Sequence, residues 1–106
     1  MSALGIIYVP PKQPYDIQPY VVNLRPYVIR GEVISSIAAR VYLPGDDPET
    51  TYDATMLYAV AYDGLKIQVK VQGGVADTTY RVRVRVQFAS GSRCEIELEF
   101  QVIETQ

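Results

Sequence analysis

Arg81, Arg83 and Arg85 stand at alternate positions in the stretch DTTYRVRVRVQF, residues 77–88. On an extended chain this spacing puts all three guanidinium groups on one face, where they could grip phosphates. Other residues also have chemical potential. Asp46, Asp47 and Glu49 crowd the stretch PGDDPET, residues 44–50, and could offer oxygen ligands to calcium. Asp53 and Asp63 could form a carboxylate pair of the kind that cleaves glycosides. Cys94, the single cysteine, could act as a nucleophile.

Composition weighs against each of these. The 106-residue chain has 10 Lys and Arg against 12 Asp and Glu, a net charge of −2, whereas phosphate-directed binding calls for a basic excess. Histidine is absent, which removes the commonest general base and metal ligand. PGDDPET lacks EF-hand spacing and reads as a solvated loop. Asp53 and Asp63 flank an expected strand, where turn-forming roles suffice. Cys94 has no histidine to activate it, and one cysteine allows no intramolecular disulfide and no paired-thiolate metal site. The expectation is a non-enzyme with no catalytic residue, cofactor, metal or small-molecule ligand, and with neither nucleic acid nor membrane as partner. No apolar run approaches the length of a membrane span. The opening MSALGIIYVPPKQP has no basic segment and no A-x-A-like cleavage site, which argues against a signal peptide.

Period-two alternation dominates the chain. In GLKIQVKVQGG, Leu65, Ile67, Val69 and Val71 share one face, and Lys66, Gln68, Lys70 and Gln72 the other. TTYRVRVRVQF turns Tyr80, Val82, Val84, Val86 and Phe88 inward; RCEIELEFQVIE does the same with Cys94, Ile96, Leu98, Phe100 and Val102. Less regular strands are expected near residues 18–24, 32–43 and 54–62. Arg30-Gly31, Asp63-Gly64, Gly73-Gly74 and Ser90-Gly91 mark turns. PPKQP, residues 10–14, is expected to be extended and exposed, because proline removes a donor and biases its predecessor away from helix. It divides an N-terminal arm and linker, residues 1–14, from a domain spanning 15–106. About seven short strands with regular turns point to an all-β, antiparallel β-sandwich.

The arginines can be placed more closely. Strands 78–88 and 92–103 nearly touch, so they should form a hairpin. A two-residue Ser-Gly loop would set core Phe88 against exposed Arg93, which the pleat forbids. A three-residue loop, Ala89-Ser90-Gly91, with Gly91 left-handed restores parity. Val86 then faces Cys94, Val84 faces Ile96 and Val82 faces Leu98. On the wet side Arg85 meets Glu95, Arg83 meets Glu97 and Arg81 meets Glu99. The arginine stripe meets a glutamate stripe, and each pair is worth a few tenths to about 1 kcal/mol. The stripe reads as a solvated sheet face.

Nine tyrosines are many for so small a core. Tyrosine gives rigid contact area with a polar tip, suited to interfaces and to stacking on sugars. Tyr8, Tyr15 and Tyr52 lie near arms or loops and are the candidate interface residues. The LGIIYV arm could add a strand to a neighbouring subunit.

Two resemblances involve GGVADTTYRV, residues 73–82. It is similar to the start of strand F in immunoglobulin-like and fibronectin-type sandwiches, where a tyrosine hydroxyl bonds back to the upstream backbone. The resemblance makes Tyr80 that structural corner, pointing toward residues 74–77. The second covers residues 10–103. PPKQP at 10–14, VISS at 33–36, GGVADTTYRV at 73–82 and SGSR at 90–93 occur in the order seen in phage fibre–tail adaptors and related phage structural proteins. Leu24 and Ala38 stand where relatives often have tryptophan. The resemblance implies an immunoglobulin-like (fibronectin-type) domain in a phage or prophage virion, partnered by other phage structural proteins and able to homo-oligomerise in the particle. The alternative is a free-standing recognition module that binds carbohydrate or protein.

Overall fold

The computed structural model describes residues 3–104. Its strands are β1 (Ala3–Tyr8), β2 (Gln18–Asn23), β3 (Ile34–Tyr42), β4 (Leu57–Asp63), β5 (Lys66–Val71), β6 (Thr78–Phe88) and β7 (Arg93–Val102), with one 3-10 turn at Arg25–Tyr27. They form a four-stranded sheet of order β1-β7-β6-β3 and a three-stranded sheet of order β2-β5-β4. The protein is a β-sandwich.

Alternation explains the layers. Val82, Val84, Val86 and Phe88 of β6, with Cys94, Ile96, Leu98, Phe100 and Val102 of β7, are buried against Tyr20, Val22, Ile67, Val69 and Val71 from the facing sheet. Burying each large aliphatic or aromatic side chain is worth about 1.5–3 kcal/mol. The β6–β7 register sets Val86 against Cys94, Val84 against Ile96 and Val82 against Leu98. The connecting turn closes with Gly91 at φ 95 and with Phe88 N–H donating to the Ser92 carbonyl at 2.8 Å.

The N-terminal segment differs from its sequence reading. β1 runs parallel to β7, with Ile6 beside Glu97, Ile7 beside Leu98 and Tyr8 beside Glu99, while the other strand pairs are antiparallel. The linker carries the chain from β1 in the four-stranded sheet to β2 in the three-stranded one. Lys12, expected to be exposed, is 2% exposed. Its Nζ donates to the Gly73 carbonyl at 2.5 Å and to the Gln13 carbonyl at 2.6 Å. Its backbone N–H donates to Gln101, and its carbonyl accepts from Ile103. The proline-rich stretch is thus pinned at its lysine, since a buried ammonium must find acceptors.

The same end of the sandwich holds an aromatic column. Phe100 lies between Tyr20 and Tyr80, with ring centroids 5.7 and 5.8 Å away. Tyr20 Oη donates to the Pro10 carbonyl at 2.6 Å, and Tyr80 Oη accepts from Val75 N–H at 3.0 Å. Close behind is Gly74, at φ 96, where an added Cβ would come within 2.7 Å of Val102 Cγ2. Gly74→Ala therefore combines left-handed strain with a clash, and should cost about 2–4 kcal/mol in urea unfolding. Gly45→Ala, in open space at a similar φ, should cost only the strain of about 1 kcal/mol.

Candidate functional site: the charged sheet face and the linker end

The outer face of the four-stranded sheet is built in rows across strands. Tyr42, Arg81, Glu99 and Tyr8 form one row; Arg40, Arg83, Glu97 and Ile6 the next; Ala38, Arg85 and Glu95 a third. Arg81 Nε donates to Glu99 Oε1 at 3.0 Å, and Arg85 Nε to Glu95 Oε1 at 2.9 Å. Those carboxylates raise both guanidinium pKa values further.

Arg83 corrects the expectation of a uniformly wet stripe. It is 7% exposed and forms no ion pair with Glu97, its backbone neighbour. It reaches Glu49 Oε1 at 3.1 Å and Glu95 Oε1 at 3.8 Å, while Glu97 Oε1 accepts from Tyr42 Oη at 2.7 Å. The reason is the loop after β3, which folds back over the sheet instead of standing in solvent. Glu49 Oε1 also lies 2.7 Å from Arg85 Nη1, and its Oε2 is 3.8 Å from Arg40 Nη1. Arg40 further donates to the Pro48 carbonyl at 3.0 Å and sits 4.4 Å above the Tyr52 ring. Tyr52, an expected interface residue, serves this intramolecular cation–π contact. Arg40 and Tyr42 were not singled out in the sequence, and Glu49 was considered there only as an oxygen ligand for calcium. The outward parity of β3 signals Arg40 and Tyr42; no local pattern signals Glu49, which acts across a loop.

The remaining candidates are more ordinary. Asp47 Oδ1 accepts from Glu49 N–H and Asp53 Oδ1 from Thr55 N–H, as turn-forming carboxylates do. Among the described residues, no three His, Cys, Asp or Glu side chains come close enough to hold a metal. Cys94 is buried, and burial raises its thiol pKa. Tyr8 and Tyr15 are 73% and 96% exposed on either side of the proline-rich linker. Next to Tyr15 a groove of about 560 Å³ opens, lined by Ile17, Met56, Gly74, Val75 and Tyr80 among others.

Residues 12–101 match the family described as podophage GP4 fiber-tail adaptor protein gp77. The chain belongs to this family. Membership makes it a structural component of the phage virion. No curated protein is detectably similar to it. Among the described residues no helix is long and apolar enough to cross a membrane. The match begins at Lys12, whose ammonium ties the linker to the corner between β5 and β6, and it takes in the arginines and glutamates of the charged face.

Two predictions follow from these contacts. Glu49→Gln removes the charge shared by three arginines, one of them buried. It should cost about 1–2 kcal/mol in urea unfolding, between the values for exposed and buried pairs. Asp46→Asn in the same loop should change stability negligibly. The second concerns alkaline pH. Burial pushes the Tyr20 and Tyr42 phenols up to about 12, helped at Tyr42 by the Glu97 carboxylate. An unfolded chain ionises these groups near pH 10, so their contribution to stability is full below pH 10 and is lost toward pH 12. Melting temperature should fall over that window, and Tyr20→Phe with Tyr42→Phe should flatten the fall.

Proposed function

We propose that this adaptor is a non-enzymatic virion protein that joins tail and fibre components through protein–protein contacts. The family match over residues 12–101 carries the reading. The charged face supports it: Arg40, Arg81, Arg83 and Arg85 are paired with Glu49, Glu95 and Glu99, so the arginines are engaged within the chain, not held open for phosphate. The strand order also supports an immunoglobulin-like assignment. β2-β5-β4 corresponds to strands B, E and D, and β7-β6-β3 to G, F and C, with Tyr80 as the corner tyrosine at the start of F. The contact surface is the linker end of the sandwich, where Tyr8 and Tyr15 stand exposed and Ile17 and Val75 add apolar area. Such a surface works by shape and desolvation, with affinity multiplied across copies in the particle.

The test is capture of phage tail and fibre proteins by the purified adaptor. Tyr8→Ala with Tyr15→Ala should leave the melting temperature within about 2 °C. Capture should weaken about thirtyfold or more, the scale of losing hot-spot side chains worth about 2 kcal/mol. Undiminished capture would remove this surface from the reading. Glycan binding by the isolated chain, without capture of virion proteins, would replace it with carbohydrate recognition.

A further inference from the structure

β7 offers an outer edge to an extended strand, and within one chain β1 fills it. We propose that this edge is an acceptor for β1 of a second copy, so that neighbouring adaptors are tied together by exchange of residues 3–8. The inference draws on the adaptor reading only for bringing copies together; the pairing chemistry is the chain's own.

The arm and its anchor are separate. Val9 N–H donates to the Glu99 carbonyl and Lys12 N–H to the Gln101 carbonyl, each at 3.0 Å. The Lys12 ammonium reaches across to Gly73. These bonds hold the linker to β7 whether or not β1 follows the same edge. Pro10 and Pro11 lie between the two anchoring residues and keep that stretch stiff, so the arm can change direction before Val9 while the linker stays anchored.

β1 itself is held lightly. Its register with β7 breaks between Ala3 and Ile6, and Tyr8 is largely exposed. Among the described side chains of β1, Ile7 packs against the core. The strand pairs with β7 through its main chain, and a second copy's arm brings the same donors and acceptors. An empty edge, by contrast, would leave the backbone from Glu95 to Glu99 unpaired. Vacating and refilling the edge therefore balance, and local concentration decides between them. The pattern of side chains selects the occupant. Ile7 must turn inward while Ile6 and Tyr8 lie in the outer rows beside Glu97 and Glu99, an alternation that the chain's own arm satisfies.

The experiment mixes full-length chains carrying Tyr8→Cys with full-length chains carrying Glu99→Cys, residues that neighbour each other across β1 and β7. A short bis-maleimide is added at concentrations up to about 1 mM, the scale of effective concentration in a tethered assembly. Exchange predicts a covalent mixed-chain dimer whose yield rises with concentration and is suppressed by excess peptide of residues 3–9. A chain carrying both substitutions should cross-link internally when dilute, which verifies the pairing and the reactivity of both sites. Internal product without mixed product at the highest concentration overturns the proposal. So does equal mixed product when Arg93→Cys, at the far end of β7, replaces Glu99→Cys. Neither result bears on capture of tail and fibre proteins, so the adaptor reading stands or falls separately.

Discussion

The pleat of the β6–β7 hairpin is the constraint on which both faces of this sandwich depend. Because side chains alternate strictly along a strand, one register places Val82, Val84 and Val86 inside and Arg81, Arg83 and Arg85 outside. A slip of one residue would bury three guanidinium groups and expose the aliphatic column. Gly91 protects against that slip by closing a turn of the required parity. β3 pairs along one side of the hairpin and β1 along the other, so an error there would propagate across the whole four-stranded sheet.

Cations also organise the segments that leave the strands. Arg83 is too deeply placed to rely on water, and the loop after β3 supplies it with Glu49. Arg40 fastens that loop again through the Pro48 carbonyl and the Tyr52 ring. At the other end Lys12 plays the equivalent part with carbonyl acceptors. It joins the linker to the β5–β6 corner in a site where burial lowers its pKa against the opposing pull of Asp16. In both places a cation withdrawn from solvent orders an irregular segment, because leaving it unsatisfied costs more than ordering the loop.

The proposed role calls for a body that does not yield. Here the core is continuous between the sheets, and its aromatic column ties β2, β6 and β7 near the linker. Tyr8 and Tyr15 are exposed on either side of that linker, and β1 lies along the adjoining sheet edge, parallel to β7. The proposed contact area is thus set beside a rigid part of the core.

Sequence alone determined the strands with clean alternation, their turn parity and the identity of the inward side chains, because period-two patterning and glycine placement are local properties that each segment carries by itself. It was less clear at β4, which starts at Leu57 and not near residue 54, and at β3, whose register with β6 shifts near Ser36. Only the tertiary structure decided that Glu49 would serve three arginines, that Arg83 would be buried, that Tyr52 would stack under Arg40 and that Lys12 would turn inward. Each depends on a loop or linker folding back over a distant sheet, and the energy of such a contact belongs to the approach of two surfaces. No spacing of residues along the chain encodes that approach.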